Sequence, residues 1–208
     1  MSPEPTAPRN FSEKMRVELA RKSIHLSSTL IPLIYSVTPR HIALAILAFV
    51  VCIFVLMELL RRGESRLGRL INHLCGFMLR RSESGNFTGA TWVVIAAWIA
   101  IFLFPKPIAV AVLLMLSISD SCASIIGISF GHTRWIGGKS LAGSGAFFLS
   151  ALAIGMVCLP HHPMTALAGA IAATCAEAVD LHIGKLHVND NLLIPLIAGG
   201  VMLAIESR

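Results

Sequence analysis

Charge is what this chain has least of. Only 13% of its 208 residues are Asp, Glu, Lys or Arg, against 55% hydrophobic residues and a mean hydropathy of +0.77. A soluble domain carries about a quarter charged residues, so a soluble globular protein is excluded. The expectation is a polytopic membrane protein forming one domain over residues 1–208. A CxxC pair is also missing: Cys52, Cys75, Cys122, Cys158 and Cys175 are scattered, mostly within apolar segments. That argues against a disulfide framework or a cysteine-bound metal and leaves buried packing as the default. The first 23 residues have no apolar core, so a cleavable signal peptide is not expected and the first membrane helix does the targeting. Internal repeats and low-complexity tracts are absent. Residues 1–10, with three prolines, are expected to be disordered.

What is present is a series of apolar runs: Leu19–Val37, Ile42–Leu60, Thr91–Phe104, Ile108–Ile128, Leu141–Leu159, Met164–Val179 and Asn191–Ile205. A spanning helix needs about 20 residues, so the third and seventh are short and would have to extend into polar flanks or sit in a thinned bilayer. The predicted fold is all-α, with about seven transmembrane helices. Placing the N-terminus in the cytosol puts fourteen of the seventeen Lys and Arg residues inside, with Arg40, Lys106 and Arg208 outside. This is a strong positive-inside bias. Between the second and third runs, Leu67, Leu70, Ile71, Leu74, Phe77 and Met78 recur at helical spacing. They predict an amphipathic helix over about 64–81 lying in the inner interface, its basic face toward anionic headgroups. The alternative is a soluble helix packed on the domain.

The chemistry concentrates on the cytosolic side. Asp120 lies within an apolar span, where an ionisable group is costly and marks function. It shares a helix face with Ser124, Gly127 and Gly131, while Ala123, Gly127 and Gly131 have the small-xxx-small spacing of close helix packing. After it, Gly131 to Ser140 approaches the GxxxxGK[ST] phosphate loop but has Thr133 where the first glycine belongs, and no strand precedes it. A soluble NTPase fold is excluded. The physics still holds: Gly137 and Gly138 free the backbone, Lys139 supplies charge, and Ser140 caps the next helix with its N–H groups facing an anion. Gly143 and Ser144 fall in that helix's first turn. Arg21, Lys22 and His25 stand at the mouth of the first span, with Glu58 placed to neutralise one of them. Thr88-Gly89-Ala90-Thr91 opens the third span. Glu177 and Asp180 end the sixth, and Asp190-Asn191 opens the seventh with Asp190 as a candidate N-cap. His161-His162 and His182 with His187 read as solvated turns. Asp120, Glu177 and Asp190 at one depth, beside cations, suit a Mg²⁺–nucleotide site, because Mg²⁺ uses one or two carboxylates plus phosphates.

The chain resembles the CTP-dependent lipid kinases: dolichol kinase, phytol and farnesol kinases, and the CTP-using diacylglycerol kinase. The resemblance runs from Glu18 to Pro195 on an ordered set: Arg21-Lys22 with His25, Thr88-Gly89-Ala90-Thr91, Ser119-Asp120 through Gly127, Gly138-Lys139-Ser140 with Gly143-Ser144, Ala176-Glu177-Ala178, and Asp190-Asn191 through Pro195. It implies transfer of the CTP γ-phosphoryl group to the hydroxyl of a membrane lipid, an isoprenoid alcohol or diacylglycerol, with a divalent cation such as Mg²⁺. Asp120, Lys139, Arg21 and Lys22 would be catalytic. Gly127, Gly138, Ser140, Gly143, Ser144, Thr88, Gly89, Thr91 and Asn191 would hold the nucleotide, and Asp120, Glu177 and Asp190 the metal. CTP as donor rests on the resemblance alone. The expected partners are the lipid, CTP and the bilayer; a homo-oligomer is compatible with the sequence, and nucleic acid is not expected. The enzyme would be integral to a bacterial inner or ER-type membrane, its site facing the cytosol. Two other readings compete with it. A phosphatidate cytidylyltransferase would carry a C-terminal Lys-Asp, His-Gly-Gly and Asp-Arg signature, which is absent. A transporter would be expected to show related halves, and none is found.

Overall fold

Proline and the short polar links decide where the apolar runs break. The computed structural model describes Met15, Leu19 and residues 21–23, 25–62, 87–134, 138–179, 182–183, 186–187 and 189–207. The expected interfacial helix at 64–81 and the expected disorder of residues 1–10 lie outside them. The helices are α1 Leu30–Val37, α2 Arg40–Arg62, α3 Gly89–Leu103, α4 Lys106–Leu114, α5 Asp120–Phe130, α6 Leu141–Cys158, α7 Pro163–Ala178 and α8 Asp190–Glu206. A π-helical turn, Met115–Ser119, joins α4 to α5. The only departure from helix among the described elements is a two-residue antiparallel ladder, His182–Ile183 on Leu186–His187.

Each of the seven apolar runs contains a helix, but the first is not one helix. Residues 21–23 and 25–27 are helical, the chain turns at Ser28 and Thr29, and α1 begins at Leu30. Pro32 is the cause: it lacks an N–H, and its ring crowds the carbonyl four residues back, that of Ser28. The break is bridged by short-range bonds, Ser28 N–H to the His25 carbonyl and Ile31 N–H to the Ser28 carbonyl, both 3.0 Å.

Among the described residues, three stretches are long and apolar enough to cross a membrane: Arg40–Arg61, Lys106–Phe130 and Leu141–Cys158. Gly89–Leu103 is apolar but shorter. The continuous α4–α5 rod is the centre of the bundle, 67% buried against 17% for Arg40–Arg61. Around it α5 packs on α6, α6 on α7, and α7 on α8, which returns to α3 and α4. On the other side, α2 packs on α3 and α1 on α4. Alanine dominates the contacts: Ala96, Ala100, Ala109, Ala111, Ala170, Ala173 and Ala198 are fully buried, with Ile101, Phe147, Met115 and Ile194 filling the gaps. Small residues let backbones approach, which is how helices associate where hydrophobic contrast with the surroundings is weak.

Connectivity also sorts the charges. Arg40 and Lys106 stand at one end of the bundle, where Lys106 Nζ donates to the Thr38 carbonyl at 2.8 Å and lies 5.1 Å from the centre of the Tyr35 ring. Arg61, Lys22 and Lys139 stand at the other end, with Asp120.

The α5–α6 contact yields a prediction. A Cβ on Gly143 would lie 2.9 Å from the Ala123 carbonyl oxygen, a backbone atom that cannot turn away, whereas one on Gly145 meets nothing within 4 Å. We expect Gly143→Ala to cost about 1–3 kcal/mol, the usual range for overpacking. Gly145→Ala should hold or slightly raise the melting temperature in detergent, because alanine is the better helix former; the pair of melting temperatures checks it.

Candidate active site

Asp120 is the first residue of α5, placed just after the π-turn, and it is buried. A carboxylate in this apolar rod must be compensated. The chain supplies two partners from its N-terminal helical residues: the Lys22 ammonium donates to Asp120 Oδ2, and His25 Nε2 stands 3.3 Å from the same oxygen. Lys22 is itself buried. The π-turn completes the seam. Its Leu116 carbonyl lies 3.1 Å from His25 Nε2, and Thr29 Oγ1 donates to Ser117 Oγ at 2.9 Å. Single π-turns inside α-helices recur at functional sites.

These groups open on a cavity of about 550 Å³, within the range of small-molecule pockets. Arg21, Lys22 and His25 line it, with Phe54, Met57, Glu58 and Arg61 from one face of α2, and Thr88 to Thr91 from the start of α3. Asp120, Ser124, Lys139 and Asn189 to Asn191 complete the wall. Eight expected site residues therefore meet on one cavity together with Asp190: Asp120, Lys139, Arg21, Lys22, Thr88, Gly89, Thr91 and Asn191.

The remaining ones serve the helices that frame it. Gly127, Gly138, Ser140, Gly143 and Ser144 are not among the lining residues. Ser140 caps α6 as expected, its Oγ accepting from Gly143 N–H at 3.1 Å. A Cβ on Gly127 would come within 2.8 Å of that same oxygen, so Gly127, Ser140 and Gly143 form the α5–α6 contact. Gly138 has φ +73°, a left-handed turn that favours glycine, and its carbonyl accepts from Arg134 Nη1 at 2.7 Å. Gly137 lies outside the described residues.

Lys139 projects from this loop to the cavity. Its Nζ donates to Glu177 Oε1 at 2.5 Å. Burial works against its charge, but the Glu177 carboxylate beside it, with Asp190 and Asp120 beyond, more than compensates and holds its pKa above the ordinary lysine value. Glu177 is buried behind Lys139, and its Oε2 has no partner among the described residues.

Two expectations are corrected. Glu58 does not neutralise Arg21, Lys22 or His25. Lys22 is taken by Asp120, and Glu58 Oε2 instead accepts from Arg61 Nη2 and Nε, at 2.7 and 2.9 Å, one helical turn along. Its Oε1 accepts from Thr88 N–H at 2.7 Å and Thr91 Oγ1 at 3.2 Å, fastening the start of α3 to the end of α2. Nor is Asp190 the N-cap of α8. Asn189 holds the extended backbone and accepts from Asn191 N–H at 3.0 Å, leaving Asp190 as the first helical residue. Asn191 Nδ2 donates to the Gly89 carbonyl at 3.3 Å, tying α8 to α3 as the shared site requires. Sequence reasoning missed Phe54, Met57 and Arg61. The readable signal was that they lie with Glu58 at i, i+3, i+4 and i+7, on one helix face.

The donor set bears on a divalent cation. No group of three or more His, Cys, Asp or Glu side chains comes together among the described residues. Asp120 and Asp190 line the cavity separately and Glu177 stands behind Lys139. Two carboxylates lining one cavity still fit Mg²⁺, which takes most of its remaining ligands from phosphates and water.

Comparison with known proteins places the chain. It is 31% identical over 191 residues to protein RP860 of Rickettsia prowazekii, covering 89% of this chain and 93% of that one. The chain belongs to the RP860 family. Beyond it, the chain is 28% identical over 205 residues to CTP-dependent diacylglycerol kinase 1 of Schizosaccharomyces pombe, covering 87% of this chain and 90% of the yeast protein. It is 24% identical over 221 residues to the protein of the same name in Saccharomyces cerevisiae, covering 90% and 73%. These more distant relationships support a place among the CTP-dependent lipid kinases. No family model matches the chain, and no solved structure does so either.

The Glu58 network is testable by stability alone. Glu58→Ala removes the carboxylate that accepts from Arg61, the Thr88 N–H and Thr91 Oγ1, and we expect a loss of about 3–5 kcal/mol. Glu58→Leu combined with Arg61→Leu should cost less than the sum of the two single changes, read from thermal unfolding as a double-mutant cycle.

Proposed function

We propose that this protein transfers the γ-phosphoryl group of CTP to the hydroxyl of a membrane lipid, giving the lipid monophosphate and CDP. The observation that carries the reading is the cavity in which Asp120, held by Lys22 and His25, faces Lys139 and the openings of α3 and α8. The chain's distant relatives named as CTP-dependent diacylglycerol kinases support it. Diacylglycerol is the acceptor those names favour, and an isoprenoid alcohol is the other class the motif resemblance allows.

Phosphoryl transfer asks for positioning and charge stabilisation more than for covalent chemistry by the protein. In the proposed reaction the lipid oxygen bonds to the γ-phosphorus as the bond to the β–γ bridging oxygen breaks, and CDP leaves with the electron pair. Asp120, its Oδ2 fixed by two donors, receives the hydroxyl proton. Lys139 and Arg21 bind the phosphates and offset charge on the transferring group, and Lys22 orients Asp120. Thr88, Gly89, Thr91 and Asn191 frame the nucleotide at the two helix openings. Asp190, with Asp120 across the cavity, would hold a divalent cation, which when bound neutralises phosphate charge. Glu177 acts through Lys139. The seven-span topology with a cytosolic N-terminus would put this end of the bundle on the cytosolic side, where CTP is available; the segregation of Arg61, Lys22 and Lys139 from Arg40 and Lys106 supports that orientation.

The purified protein in lipid nanodiscs, given γ-labelled CTP and a panel of diacylglycerol, farnesol, phytol and polyprenol, is expected to label one lipid class and release CDP. Release of pyrophosphate would indicate nucleotidyl transfer, and an unlabelled panel would sink the kinase reading. Chelation should abolish labelling and Mg²⁺ restore it. Lys139→Ala removes a charge-assisted contact of about 1.5–3 kcal/mol. It should therefore raise KM for CTP roughly 10- to 100-fold while leaving KM for the lipid nearly unchanged.

A further inference from the structure

The kinase reading leaves open where the lipid's hydrocarbon goes, and the cavity has two unlike ends. Toward Lys139, Asp190 and Asn191 it is polar. Its apolar wall is Ile31 of α1, Phe54 and Met57 of α2 and Val93 and Val94 of α3, while Glu58 and Arg61, which α2 also contributes, are paired with each other. A cavity of about 550 Å³ suits a ligand of drug size, so a nucleoside triphosphate and a lipid headgroup fill it and long tails must leave.

The packing shows the way out. α1 and α2 are consecutive and joined only by Thr38 and Pro39, yet they pack on different partners, α1 on α4 and α2 on α3, with at most marginal contact between the two. The seam between them starts at the apolar end of the cavity. Met57 both lines the cavity and is 39% exposed. From there, exposed apolar side chains continue along both helices, Leu30 and Ile34 on α1 and Ile53 and Leu56 on α2. α2 is also the least buried of the spanning helices, so this face meets the bilayer if the chain spans it. An apolar path that begins at a polar pocket and ends on apolar side chains exposed among the described residues suits an amphiphile with its headgroup inward.

We propose that the seam between α1 and α2 is the lateral entry for the lipid substrate, and that Ile31, Phe54 and Met57 hold the first segment of its hydrocarbon tail and set the chain-length preference. The proposal rests on the lipid-kinase reading for the identity of the substrate, and on the cavity and packing for the route. The lipid hydroxyl then comes to Asp120 from the α1–α2 side while the nucleotide enters from the polar end, so the two substrates meet without crossing. Diacylglycerol and isoprenoid alcohols share the required chemistry, a hydroxyl on a long apolar tail, and competition separates them.

Two measurements test it. In the first, a diacylglycerol carrying a photoreactive diazirine on its acyl chain is irradiated with the wild-type protein in nanodiscs, and the adducts are mapped by mass spectrometry. The expected result is labelling of the peptides holding Ile31, Phe54 and Met57, suppressed by excess unlabelled diacylglycerol, or by farnesol or phytol if those are the substrates. Labelling with the same distribution as a diazirine phosphatidylcholine, and uncompeted, would overturn the proposal. In the second, Met57→Trp narrows the seam. It should raise KM for dioleoylglycerol by about 10-fold or more, move KM for dihexanoylglycerol much less, and leave KM for CTP within about twofold. Ile46→Trp, on the outer surface of α2, should change none of these. Equal losses for long and short acceptors would contradict the route. Competed labelling at the seam without phosphorylation of any lipid would retire the kinase reading and keep the lipid site; phosphorylation with labelling elsewhere would do the reverse.

Discussion

The Lys22–Asp120 ion pair is the interaction on which the rest of this end of the molecule depends. Either charge alone, buried among apolar helices, would cost several kcal/mol. Together they join residues 98 positions apart and fix the N-terminal helical residues against the π-turn at the centre of the bundle. His25 on Asp120 and Leu116, and Thr29 on Ser117, are additional closures of the same seam. The break at Ser28 and Thr29, forced by Pro32, lets this seam form while α1 goes on to pack against α4. A straight helix from Leu19 to Val37 would carry both requirements on one axis.

Two further carboxylates act at one remove. Glu58 is surrounded by four donors, from Arg61, Thr88 and Thr91, and its work is to hold the end of α2 against the start of α3. Glu177 holds Lys139 at the cavity and keeps it charged. The site is thus a ring of internally compensated ions in which few groups face the cavity directly and the rest determine where those groups stand. Such an arrangement suits phosphoryl transfer, where prepositioned charge supplies most of the effect.

Much of this was legible in the sequence, and the parts that were not share a cause. Apolar runs bounded by polar links gave a helix for every expected span, because burial in an apolar setting is a local, compositional property. The membership of the cavity followed from unusual residues at the ends of those runs: Asp120, Lys22, Lys139, Asn191. Pairings did not follow. Glu58 could reach several cations on paper, and only the packed bundle shows that Lys22 is already committed and Arg61 is the near neighbour. Gly127 carried both a place in the nucleotide-site motif and the small-xxx-small signature of close packing, Gly143 only the former, and Ser140 Oγ between them places both in the α5–α6 contact. Asn189 and Asp190 are both good caps, and backbone dihedral angles separate them. Phe54 and Met57 taken singly look like lipid-facing residues, and only their place on the Glu58 face of α2 marks them in the sequence.

The central claim is that Asp120, oriented by Lys22, acts on the chemical step and not merely on folding or nucleotide binding. The most direct measurement compares wild type and Asp120→Asn in nanodiscs, with binding of a fluorescent CTP analogue and single-turnover transfer of labelled phosphate to lipid measured on the same preparations. The account predicts that, at CTP saturating for each protein, folded Asp120→Asn transfers phosphate at least about a thousandfold more slowly than wild type. Transfer at near wild-type rate by a folded, nucleotide-binding Asp120→Asn protein would contradict it.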